Sequence, residues 1–193
     1  MDTPQEIKDL QALENRRHRI VWKPFMDKYG IKSVCEIGVF ESQNFRRLLE
    51  GNPDIAVGID TWREDGNVAR NDSGFDQERL DRQCDFFMSL MREHPSVRLY
   101  RELSSEAHKH FPDEYFDLIY IDADHTYEGC YADLNAWFPK VKKGRFFTGD
   151  DFTDNYKTSS GVKFGVKSAV DRFCKENNLV YYELPRTRWA ILK

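Results

Sequence analysis

Five short apolar runs recur along the chain, too far apart to pair as hairpins, and stretches with helical spacing fill the intervals. The runs are 33–38, 55–60, 97–100, 115–121 and 145–148. Between them, apolar residues fall at helix-like intervals over 42–50, 75–93, 104–110, 127–138 and 165–176. Gly51-Asn52-Pro53, His94-Pro95, Pro139 and Asn177-Asn178 supply the stops. Ile7, Leu10, Leu13, Ile20, Val21, Phe25 and Met26 predict one further helical stretch over 5–28, closed by Gly30. The strand runs are continuous rather than alternating, as expected of strands covered on both faces in a parallel sheet.

The last runs differ. Residues 179–184 and 188–192 are separated only by Pro185-Arg186-Thr187, too short for a crossover helix, so they predict an antiparallel hairpin. The expected fold is therefore α/β: a doubly wound, mostly parallel, Rossmann-like sheet. A C-terminal antiparallel hairpin closes it with one reversed edge strand, and an extra helix precedes it. At 193 residues a single domain is expected, with 1–30 as a helical extension and 31–193 as the core.

Composition narrows the function classes. Charged residues make up 32% of the chain and hydrophobic ones 40%, with a mean hydropathy of −0.71, which fits a globular protein without a membrane span. The first residues lack the basic and apolar regions of a secretory signal. A net charge of −4 gives no general attraction to nucleic acid. The four cysteines, Cys35, Cys84, Cys130 and Cys174, form no Cys-x-x-Cys pair, so reduced thiols and a cytoplasmic setting are expected. The expected partner is a small molecule, with no nucleic acid and no membrane; a homo-oligomer is compatible with the sequence.

Chemistry gathers where the strands end. The run 116–121 opens into Asp122-Ala123-Asp124-His125-Thr126-Tyr127-Glu128-Gly129, and 145–149 opens into Asp150-Asp151-Phe152. The first strand ends in Glu36-x-Gly38 and the second in Asp60. In an open parallel sheet these ends share one edge, where ligands bind. This pattern resembles the class I S-adenosylmethionine-dependent methyltransferases. The stretch 121–129, with Gly161-Val162 through Phe173, is similar to a small-molecule O-methyltransferase group that includes macrocin O-methyltransferases and cephalosporin-hydroxylase-like relatives. The resemblance covers roughly 32–193.

The resemblance implies S-adenosylmethionine as cofactor and a set of roles. The turn from Glu36 through Gly38, Phe40, Ser42 and Asn44 would hold the methionine part, because glycine allows close backbone approach and a helix start offers free N–H groups. Ser42 and Asn44 depart from the usual glycine and serine there, and an ordinary strand-to-helix turn reads the same way. Asp60 would accept from ribose hydroxyls, followed by Thr61 and by Trp62, which lies either on adenine or in the core. Ser104 would meet the adenine edge, and Asp122 also borders the cofactor. A nicotinamide enzyme would want the same acid after strand two, but Gly-x-Gly-x-x-Gly is missing.

Methyl transfer to a hydroxyl needs help in removing its proton. Asp122, Asp150 and Asp151 are three hard oxygen donors suited to Mg²⁺, and without a cation they would repel one another; the alternative is that they merely end a strand in solvent. His125 stands where the resembling families carry a general base, with Asp124 as competitor. His108 and His110, two apart on a helix, are poor joint ligands. The function expected is Mg²⁺-assisted O-methylation of a small hydroxylated acceptor, with a sugar or glycosylated metabolite in view. The rivals are a metal-independent methyltransferase and a non-catalytic binding module of the same fold.

Overall fold

The computed structural model describes residues 2–13, 20–63, 76–158 and 161–193. The strands are β1 (Ser33–Ile37), β2 (Ile55–Ile59), β3 (Val97–Tyr100), β4 (Phe116–Ile121), β5 (Val141–Gly149), β6 (Tyr181–Leu184) and β7 (Arg188–Leu192). They form one sheet in the order β3-β2-β1-β4-β5-β7-β6, with the first five parallel. This is the expected α/β architecture with its C-terminal hairpin. In β4 the period of two is plain: Leu118 and Tyr120 join one core, Ile119 and Ile121 the other, and all four are buried. Helices α1 (Gln5–Gln11), α2 (Trp22–Tyr29), α3 (Gln43–Leu49) and α4 (Gln77–Glu93) carry residues of the first core. Helices α5 (Ser104–Ala107), α6 (Tyr127–Trp137) and α7 (Val166–Asn177) cover the other face. Among the described residues no helix is long and apolar enough to cross a membrane.

Three details depart from the sequence reading. The N-terminal stretch is two helices rather than one. Pro24 lacks an N–H and is tolerated only in a first helical turn, so α2 starts afresh at Trp22. Strand β5 begins at Val141 instead of Arg145, passing through a register irregularity and Gly144 at φ 69°. The third concerns the hairpin. The reversed strand is not the edge: β7 pairs antiparallel with both β5 and β6, leaving β6 outermost. Burial accounts for this choice. Trp189, Ala190 and Ile191 of β7 are wholly buried, whereas no residue of β6 is. Helix α1 meets the β6 edge, where Gln11 Nε2 donates to the Glu183 carbonyl at 3.0 Å. The stretch 62–74 is polar and without periodicity in the sequence, which predicts a loop; beyond Arg63 it lies outside the described residues.

The end of the sheet opposite the acids is fastened by Asp117. Its side chain is almost fully buried. It accepts from the Lys32 and Ser33 backbone N–H groups and the Ser33 hydroxyl, each at 2.9 Å, and pairs with Lys142 Nζ at 3.0 Å and Arg145 Nε at 3.3 Å. Burial alone would raise its pKa. The Lys32 N–H, Lys142 and Ser33 outweigh that and hold it below the usual carboxylate range. A lowered folded pKa stabilises the protein above the ordinary carboxylate value and loses that contribution as pH falls through the folded value. Asp117→Asn should cost about 3 kcal/mol at neutral pH. In thermal unfolding scans from pH 7 to pH 3, the gap between wild type and variant should narrow towards the acid end.

Candidate active site

Register places the site. Ile37 of β1 lies beside Ile59 of β2 and Ile121 of β4, and Ile121 lies beside Gly149 of β5. The next residues along these strands, Gly38, Asp60, Asp122 and Asp150, therefore leave the sheet on one line. Backbone bonds continue the ladder by that step: Gly38 N to Ile59 O and Asp122 N to Ile37 O, both 2.8 Å, and Asp150 N to Ile121 O, 3.1 Å. Above this line opens a cleft of about 570 Å³. Glu36, Gly38, Phe40, Asn44, Asp60, Thr61, Trp62, Ser104, Asp122, Asp124, His125 and Asp150 all line it. Ser42 and Asp151 do not. Ser42 is fully buried, its hydroxyl without a partner in the described structure.

The glycine turn is close-fitted. Gly38 has φ +85°, and a Cβ there would sit 1.9 Å from the Asp122 carbonyl oxygen. Only glycine lets the turn press on β4 in this way. Phe40, Ser42, Trp62 and Asp151 also hold positive φ values, between 42° and 59°. Non-glycine residues persist there only when their surroundings over-determine them, and such strain gathers at functional sites. Asp60 supplies part of that restraint, its two oxygens accepting from the Phe40 and Trp62 N–H groups, each at 2.8 Å. Burial pushes its pKa up, against those bonds. The Trp62 indole is buried against Phe87 and donates to the Phe40 carbonyl at 3.0 Å, so the ring is core whose edge reaches the cleft.

At the other end Ser104 donates to the buried Asp133 at 2.5 Å. Asp133 of α6 was not singled out from the sequence, where it reads as one acid on a helix.

The two candidates for a base part company. Asp124 Oδ1 accepts from the Thr126 N–H at 2.9 Å, at the start of α6, whose N-cap is Thr126. A Cβ on Gly129 would lie 2.2 Å from Asp124 Oδ2, so the missing side chain makes room for this carboxylate. Asp124 is thereby folded back on its own helix. His125 Nε2 instead lies 3.2 Å from Asp122 Oδ1 and 3.1 Å from Asp151 Oδ2. Its ring stacks on Phe164, 4.6 Å between centroids and 16° apart in plane.

The expected acid trio is regrouped. Asp122, His125 and Asp151 bring one ligand atom each within 4.8 Å of one another. Asp150 is engaged otherwise. Its Oδ2 accepts from the Tyr120 hydroxyl and its Oδ1 from the Asp151 N–H, both at 2.9 Å. Burial and the neighbouring Asp122 charge push Asp150 up to about 6. Burial also raises Asp122, with His125 opposing. Tyr120, hidden within an apolar strand run, gave no sign in the sequence of this contact.

The residues fit the groups that the resemblance implies. For a nucleoside cofactor there are a glycine turn without room for a Cβ, an acid at Asp60 and a buried Glu36 Oε2 without a partner among the described residues. For a divalent cation there are two carboxylates and an imidazole.

A parallel sheet with a ligand cleft at this edge, closed by an antiparallel hairpin, defines the Rossmann-like methyltransferase class. A family model described as a methyltransferase domain matches residues 35–152, and the chain belongs to that family. Membership makes the chain a methyltransferase and implies S-adenosylmethionine as methyl donor. No curated protein sequence matches it. Among solved structures, O-methyltransferase NovP is 15% identical over 97% of this chain and 78% of its own, with a TM-score of 0.61. A proposed caffeoyl-CoA O-methyltransferase from Staphylococcus aureus is 12% identical over 89% and 80%, TM-score 0.62. Spermidine synthase from Thermotoga maritima is 17% identical over 83% of this chain, TM-score 0.52. This chain spans about half the length of that synthase, 52%. These likenesses show the fold.

Gly38→Ala should cost at least about 1–3 kcal/mol, because the new methyl group must push the turn away from Asp122. A lowered thermal midpoint together with weakened S-adenosylhomocysteine binding in calorimetry is the expected result.

Proposed function

We propose that this methyltransferase transfers its methyl group to the hydroxyl of a small acceptor, with a divalent cation, Mg²⁺ first among them, assisting. The observation that carries the reading is His125 Nε2 set against two carboxylates beside the cleft, at 3.2 and 3.1 Å. A base must receive a proton at a defined atom, and two adjacent carboxylates stabilise the imidazolium that results. Phe164 fixes the plane of the ring. Asp124, tied to the start of α6, is the poorer candidate.

When bound, S-adenosylmethionine supplies the electrophilic methyl group, and a divalent cation lowers the pKa of an acceptor hydroxyl. Asp122 and Asp151 are the carboxylates best disposed to hold the cation. Asp150 supports them by bonding the Asp151 N–H and so holding that residue at φ 52°. Carboxylates only accept, so the His125 Nε2 that faces both of them carries the ring N–H and does not also hold a cation. The base reading leaves the cation to the acids.

A metal-independent methyltransferase is the second reading. It is favoured by the engagement of both Asp150 oxygens within the protein. A screen of hydroxylated metabolites, sugars and glycosylated compounds included, read by a methyl mass shift, would identify the acceptor. His125→Ala should lower turnover about 10²- to 10⁴-fold and leave S-adenosylhomocysteine affinity nearly unchanged. Substantial remaining activity would remove His125 from the base role. EDTA should suppress turnover and added Mg²⁺ restore it; turnover indifferent to both would favour the second reading.

A further inference from the structure

One end of the cleft holds a carboxyl group and a guanidinium that do not meet. Glu36, one residue before the end of β1, is 2% exposed and lines the cleft. Its Oε1 is occupied, accepting from Asn44 Nδ2 at 3.3 Å. The orientation of Asn44 is itself fixed from outside. Trp22 Nε1 is a donor only, so the Asn44 atom it meets at 2.9 Å is the oxygen, and the amide N–H₂ is turned to Glu36. Glu36 Oε2 is buried with no partner among the described residues. An acceptor placed so invites a donor from the cleft.

Arg47 lines the same end. It lies three residues after Asn44 and four after Gln43, so all three share one face of α3, and all three line the cleft. Among the described residues its guanidinium makes no hydrogen bond and no ion pair, and its charge acts on Glu36 from beyond ion-pair distance. Neighbouring charges do not neutralise it: Glu41 pairs with Arg79, and Arg46 lies over Phe86. A buried acceptor and an unpaired planar fork on either side of a gap match an α-amino acid, with its ammonium and carboxylate on adjacent atoms.

We propose that Arg47 selects a carboxylate-bearing ligand over one that lacks it, acting across from Glu36, which the resemblance already assigns to the methionine part of the cofactor. Asn44 and Trp22 act as positioning residues behind Glu36. The inference rests on the cleft being the S-adenosylmethionine site.

Calorimetry with two ligands tests it on the full chain. S-adenosylhomocysteine carries the amino acid; 5′-methylthioadenosine keeps the nucleoside and sulfur but lacks it. Wild type should bind the first at least about tenfold more tightly. Arg47→Gln should lose about tenfold or more in affinity for S-adenosylhomocysteine and leave 5′-methylthioadenosine unchanged. Arg47→Lys, which keeps the charge but not the fork, should fall between. Equal loss for both ligands, or no loss for either, would overturn the role of Arg47, as would wild-type protein binding both ligands alike. In that last case the cofactor reading stands. If wild type binds neither ligand, the cofactor reading fails and takes this one with it. A thermal midpoint measured for each variant separates local loss of affinity from loss of fold.

Discussion

The site depends on one constraint: four parallel strands stop on the same rung. Hydrogen bonds set that rung residue by residue, pairing Ile37 with both Ile59 and Ile121, and Ile121 with Gly149. A slip of one residue in β2, β4 or β5 would turn its terminal acid into the opposite face, because side chains alternate. The apolar residues of both faces resist such a slip, since it would exchange one buried set for the other. Asp117, at the far end of β4, resists it again by bonding the start of β1 and pairing with side chains of β5. The chemistry of the acids is thus inherited from packing that lies well away from them.

Much of this was legible in the sequence because strands buried on two faces leave continuous apolar runs, and the switch to Asp, His and Glu marks where the core ends. The acids at 60, 122 and 150 could be placed at one edge on that ground alone. What was not legible depends on contacts between distant residues. Whether Trp62 lies on a ligand or in the core turns on Phe87, 25 residues away in a different element. The order of β6 and β7 turns on which strand gains more by burial, a comparison no local pattern expresses. Asp150 looked like an equal member of an acid trio. Its two oxygens are claimed instead by a tyrosine from the neighbouring strand and by the adjacent backbone. Arg47 gave no signal either, because an arginine on a short helix reads as solvated surface.

The N-terminal segment, expected as a helical extension, is part of the site's framework. Trp22 is buried against Tyr120, edge to face at 5.9 Å, and its indole N–H holds Asn44. Tyr120 in turn holds Asp150. One side chain from α2 therefore touches the supports of both the Glu36 end and the acidic end of the cleft. A ligand that tightened one support would meet the other through a packed aromatic contact.

The placement of β7 sets an order of events during synthesis. Strand β5 leaves the ribosome with one flank ready to join β4, but its other flank waits for a strand that begins at residue 188, some forty residues later. Over that interval Phe146 and Phe147 sit in a strand with an open edge, the kind of surface that recruits foreign strands. The natural occupant arrives with Trp189, whose ring fills the space left by the absent side chain of Gly149. A nascent chain halted before that point would carry all its strand-end acids and still lack the strand that closes the sheet beside Asp150.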